Sequence, residues 1–117
     1  MSRQALITES GHLIARVEVA RSFWPRFRGL MFRRSIDPEE GMLFPRCGSI
    51  HTFMMRMPID VVFVRDGVVS TVHAAVPPNK TLADPGCDAL ELIAGRAAEV
   101  GLCPGAVIRS EEPVAAA

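Results

Sequence analysis

Residues 12 to 20 alternate, with Leu13, Ala15, Val17 and Val19 on one side and Arg16 and Glu18 on the other. That two-residue period predicts a half-buried strand. Glu9-Ser10-Gly11 in front of it carries turn residues, so Ala5 to Thr8 is expected as the first arm of an opening hairpin. The period then lengthens. Ser22 can cap a helix, Pro25 suits a first turn, and Phe23, Phe27, Leu30 and Met31 share one helical stripe, which predicts a short helix over 22–31. Ile59 to Arg65 reaches Asp66-Gly67 and returns as a strand over 68–74, the strongest short-range hairpin signal in the chain. A two-residue type I′ loop there would set Arg65 opposite Val68, Val64 opposite Val69, Val62 opposite Thr71 and Asp60 opposite His73. From Pro77 to Asp88 the residues are proline, glycine and polar, a connection of about twelve residues, long enough to suggest function or disorder. Beyond it the pattern predicts a strand over 89–94, a helix over 96–100 closed by Gly101 in the left-handed conformation, a Pro104-Gly105 turn, a last strand over 106–110 and a frayed tail over 111–117.

A chain of 117 residues is one domain, 1–117 with its core over about 4–110, and can bury roughly two-thirds of its unfolded surface. Its 49% hydrophobic content includes no apolar run near the roughly 20 residues of a membrane helix, so we expect an internal core and no membrane span. Met1-Ser2-Arg3-Gln4 leads straight into a strand without a secretory signal, which gives a cytoplasmic expectation. Cys47, Cys87 and Cys103 are too few for a disulfide framework and are expected reduced. Thirteen basic and thirteen acidic side chains cancel, so no overall field holds a polyanion.

Three segments carry a longer pattern: Arg28-Gly29-Leu30-Met31-Phe32-Arg33, Glu40-Gly41-Met42-Leu43-Phe44, and His51-Thr52-Phe53-Met54-Met55-Arg56-Met57-Pro58-Ile59-Asp60-Val61-Val62-Phe63. Leu90-Glu91-Leu92, Ala94-Gly95, Gly101 and Gly105 follow in order. Over roughly residues 12 to 109 the chain resembles domain-of-unknown-function family 192. The resemblance implies a compact, mainly β fold of sandwich or barrel type with one or two short helices, found in bacteria and archaea, with no established activity. Many relatives look exported or anchored. The family often has Phe-Trp-Met-Lys where this chain has Phe53-Met54-Met55-Arg56, and Gly-Asp where it has Gly105-Ala106.

His51, Arg56, Asp60 and, through the hairpin register, His73 gather polar groups around Met57-Pro58, where a loop feeds into a strand. Arg56 can clamp a carboxylate or phosphate, and an imidazole can donate, accept or shuttle a proton. The competing structural reading makes Asp60 and His73 a cross-strand pair and ties Arg56 to Glu91 or another carboxylate. Cys47 and His51 have a spacing that could supply two metal ligands or a thiolate and its base, but no second ligand pair and no orienting group accompanies them, so neither metal nor cofactor is expected. Arg21, Arg26, Arg28, Arg33 and Arg34 interleave with aromatics like a nucleic-acid surface. The aromatics, however, share the predicted core stripe, and Asp37, Glu39 and Glu40 follow to offset the charge.

These readings converge on a binding or accessory module with a site for a small anionic ligand or protein partner at His51, Arg56, Asp60 and His73, Asp60 fixing the state of His73. Cys47, Arg28 and Glu91 are secondary candidates. The alternatives are a small hydrolase using Cys47 or His51, and nucleic-acid contact through Arg21 to Arg34.

Overall fold

The apolar runs without alternation form two adjacent interior strands of the sheet. In the computed structural model of the protein, which describes residues 2–20 and 35–111, β5 (Ile59–Arg65) is buried at every position but the last. β8 (Asp88–Ile93) is buried at its four middle positions. A strand covered on both faces needs apolar residues on both, and the two-residue period disappears. Around this pair lie β1 (Ser2–Thr8), β2 (Leu13–Val19), β3 (Glu40–Phe44), β6 (Val68–Val76) and β9 (Ile108–Glu111), in the spatial order β6-β5-β8-β3-β2-β1-β9. Neighbours are antiparallel except for the parallel pair β2 and β3. The sheet curls into a half-barrel until its ends touch: Val68 bridges Val107, and the Ile108 N–H donates to the Gly67 carbonyl at 2.8 Å. A two-stranded sheet of β4 (Ser49–His51) and β7 (Thr81–Ala83) and one short helix, α1 (Arg96–Glu99), complete the described fold. The protein is thus a mainly β single domain. No helix among the described residues is long and apolar enough to cross a membrane.

Alternation along β5 and β8 serves two cores. Val62, Val64, Leu90 and Leu92 join Leu6, Val17 and Leu102 on one face. Ile59, Val61, Phe63 and Ala89 join Phe44, Ile50, Met55 and Met57 on the other. The second cluster is what the small sheet and its loop cover, and it fixes where that loop sits.

The opening hairpin, the Asp66-Gly67 turn and the helix closed by Gly101 form as the pattern predicts. Asp66 and Gly67 take φ of 52° and 77°, the two positive values a type I′ turn requires. Strands β3, β4 and β7 lie outside the predicted elements, two of them only three residues long. The expected helix over 22–31, the Arg21 to Arg34 stretch and the tail beyond residue 111 lie outside the described residues.

The hairpin register departs from expectation after two pairs. Arg65 faces Val68 and Val64 faces Val69, but Phe63 faces Thr71, so Ser70 is an extra residue in a β-bulge. The slip places Val61, not Asp60, opposite His73. A second bulge sets Ala74 and Ala75 against Asp60 alone, with Ala75 at φ 48°. Because successive side chains point to opposite faces, one inserted residue puts Asp60 and His73 on opposite sides of the sheet.

The first bulge has a cause in the long connection. Ser70 and Thr71 both turn their hydroxyls to Asp84, at 2.7 and 3.0 Å from Oδ2. The Asp84 N–H in turn donates to the Gly48 carbonyl, and Arg65 donates to the Pro85 carbonyl at 2.6 Å. These bonds hold residues 77–88 against the barrel. The Ser70 hydroxyl is the main influence holding the Asp84 carboxyl below its ordinary value; partial desolvation opposes it, and Thr71, Cys87 and the Arg65 charge add to the lowering. A depressed carboxyl stabilises the fold above its unfolded pKa and loses that contribution as pH falls through the folded one. Melting temperature should therefore drop below about pH 4, and Ser70→Ala should lower the pH 5 to 7 plateau and shallow that drop, so that the two proteins converge in acid. Identical acid limbs for the two proteins would contradict this account.

Candidate functional site

The β4 to β5 loop is built on Thr52. This side chain is fully buried. Its hydroxyl donates to the Pro77 carbonyl at 2.8 Å and accepts the Lys80 N–H at 2.8 Å. Its backbone N–H donates to the Lys80 carbonyl, and its carbonyl accepts the N–H groups of Asn79 and Met55. Ile50, Thr52, Met55 and Met57 point inward, while His51, Phe53, Met54 and Arg56 point outward. Met54 takes φ 64°, and this left-handed residue lets two consecutive side chains face solvent before the alternation resumes. Phe53 is 48% exposed and Met54 58%. The His51 ring stacks on Phe53 with centroids 5.2 Å apart. A left-handed non-glycine residue costs on the order of 1 to 2 kcal/mol and persists only where its surroundings over-determine it. Here the Thr52 bonds and the buried Met55 and Met57 do so.

The chemistry of this surface is apolar and cationic. Arg56 is exposed, and no hydrogen bond or ion pair to a described residue engages its guanidinium. Lys80 is exposed at the strand end bonded to Thr52. No acidic residue occurs over 49–59 or 74–83.

The other candidates fall elsewhere. Asp60 is fully buried, and its carboxylate accepts three backbone N–H groups: Ala75 at 2.9 Å on Oδ1, Gly95 at 3.1 Å and Ala97 at 2.9 Å on Oδ2. It caps α1 from a neighbouring strand and holds the second β6 bulge, so it neither faces His73 nor fixes its state. His73 instead packs edge-on against Phe63 at 5.8 Å. Glu91 is buried in the interior strand β8 beside Met42 and Val61. The Cys47 thiol donates to the Ser49 carbonyl at 3.2 Å and not to an imidazole. Arg28 lies outside the described residues. Of the four residues expected to converge, His51 and Arg56 are exposed on the β4 to β5 loop, while Asp60 is buried on the other face of β5.

Pattern reading missed Thr52, Phe53, Met54 and Lys80 as parts of this surface. The available signal was Phe53-Met54 next to Arg56, two large apolar residues in a loop. It also missed a wider cleft of about 470 Å³ between the β1 to β2 turn and residues 100–107. There the Ser10 hydroxyl lies 3.0 Å from His12 Nδ1 and 3.1 Å from the Thr8 hydroxyl, bonds that close the turn locally.

The family DUF192, described as "Uncharacterized ACR", matches residues 5–110. A crystal structure from Sinorhizobium meliloti 1021, described as a "putative transcription regulator", is 32% identical, with a TM-score of 0.79 and 92% of each chain covered. One from Novosphingobium aromaticivorans DSM 12444, described as a protein of unknown function, is also 32% identical, with a TM-score of 0.77, covering 92% of this chain and 83% of that one. No curated protein matches the chain.

Proposed function

Because the chain belongs to the DUF192 family, whose description assigns no activity, we propose from its own residues that it is a binding or accessory module taking an anionic ligand or acidic peptide on the His51 to Arg56 loop. The observation that carries this reading is Arg56, exposed beside 48%-exposed Phe53 and 58%-exposed Met54 on a loop fixed by the buried Thr52. Exposed aromatic and arginine side chains on a preorganised scaffold are what interface hot spots are made of. The cations add direction: an acidic partner is attracted and a basic one repelled. Arg56 would clamp the carboxylate or phosphate through its planar fork, Lys80 would add positive charge, His51 would offer a ring N–H, and Phe53 and Met54 would cover the ligand's apolar part.

The test uses a synthetic peptide of alternating Glu and Leu and its Gln-substituted counterpart. Binding is expected to favour the acidic peptide and to weaken with salt. Arg56→Ala should lower its affinity at least about tenfold, since a charge-assisted hydrogen bond is worth roughly 1.5 to 3 kcal/mol, with the melting temperature nearly unchanged. His51→Ala should weaken it less. Equal affinity for the two peptides, or tighter binding of a duplex DNA of comparable length, would overturn the reading. The second outcome would instead agree with the description of the Sinorhizobium relative.

A further inference from the structure

On the opposite face of the sheet from the His51 loop, the closing edge of the half-barrel leaves a cavity of about 170 Å³. Leu6, Val64, Leu90 and Ile108 form its apolar walls. The first three belong to the concave core and are at most 6% exposed. Gln4, Asp88 and Ser110 add its polar groups, with Ser110 donating to the Gln4 side chain at 3.2 Å. Among the described residues, Asp88 is the only charged one lining it. Its Oδ1 accepts the Arg46 backbone N–H at 2.8 Å, and among the described residues no hydrogen bond engages Oδ2. The alternation that faces Leu90 inward also puts Asp88, two residues earlier and opposite Val64, on this face.

We propose that this cavity is a binding site for a small apolar molecule, aromatic or branched aliphatic, carrying one cationic amine. Three observations join in it. The volume is close to the roughly 150 Å³ of an engineered apolar cavity that holds benzene. The walls belong to a packed core, so the site is preformed, and mouths of curled sheets are where such ligands are commonly taken. The single carboxylate, with one oxygen already fixed by Arg46, offers the other to one ammonium group. A ligand anion would meet that charge with no lining cation among the described residues to offset it.

Benzylamine, benzyl alcohol and phenylacetate, similar in size and differing in charge, make the test, with amide chemical shifts of the full chain as the readout. Benzylamine is expected to give saturable shifts centred on Leu6, Leu90 and Ile108. Benzyl alcohol should bind at least about tenfold more weakly, and phenylacetate more weakly still. Asp88→Asn keeps the oxygen that receives the Arg46 N–H and should erase the preference for the amine. Ser110→Trp, at the exposed rim, should block all three probes without altering the melt, and Gln4→Trp serves if that variant does not fold. Arg56→Ala should leave benzylamine binding unchanged, so this site and the anion-binding loop stand or fall separately. Absence of saturable shifts at millimolar benzylamine, equal binding of phenylacetate, or a preference that survives Asp88→Asn would overturn the proposal.

Discussion

Asp60→Ala is expected to lower the melting temperature by more than about ten degrees. The carboxylate receives the N–H groups of Ala75, Gly95 and Ala97 in a fully buried position. Removing it strands three donors away from water, each worth roughly 1 to 3 kcal/mol, and the combined loss should be on the order of 3 to 5 kcal/mol because neighbouring losses are not additive. Domains of this size shift by several degrees per kcal/mol. Asp60→Asn should fall between the two: its one oxygen can serve Gly95 and Ala97, but its amide then presents a donor to the Ala75 N–H. At a temperature where Asp60→Ala is folded, affinity for the acidic peptide should match the parent protein, since the buried carboxylate does not reach the loop surface. A thermal melt of Asp60→Ala within three degrees of the parent would refute the structural role.

Thr52→Val is expected to cost about 2 to 3 kcal/mol and, unlike Asp60→Ala, to reduce acidic-peptide binding by about tenfold with Arg56 and Lys80 both intact. Valine matches threonine in shape, so packing is kept. The hydroxyl is lost, and with it the donor to Pro77 and the acceptor for Lys80. Those bonds hold the outward set His51, Phe53, Met54 and Arg56 in one arrangement, including the left-handed Met54. Without them the loop samples others, and a ligand must reorder it on binding, which lowers affinity. Thr52→Ser keeps the hydroxyl and should restore most of the binding. Parent-like affinity in Thr52→Val, measured by titration calorimetry, would show that the loop is not held by this side chain.

Some of this was legible without coordinates because it depends on neighbours in sequence. Leu13 to Val19 alternates and forms β2, and Ile59 to Phe63 does not alternate because β5 is covered on both sides. Asp66-Gly67 turns as expected because positive φ at both positions is a local property that Asp tolerates and Gly adopts freely. Arg56 was recognisable as a loop cation beside apolar residues. Strands β4 and β7, three residues each, were not legible, because their pairing is made between segments thirty residues apart and not by local propensity.

The role of Asp60 was decided by two inserted residues. Counting from the turn gives a carboxylate facing His73; Ser70, drawn out of register by Asp84 across the barrel, moves the two to opposite faces, and the Ala74-Ala75 bulge then brings the Ala75 N–H to Asp60. Neither partner is near in sequence: Asp84 is 14 residues from Ser70, and Ala97 is 37 from Asp60. Sequence pattern therefore marked the longer strands β2, β5, β6 and β8, while β3, β4 and β7 emerged only with the fold. Which polar groups meet was settled only by the tertiary fold, since a one-residue bulge costs little locally yet reverses every side chain beyond it.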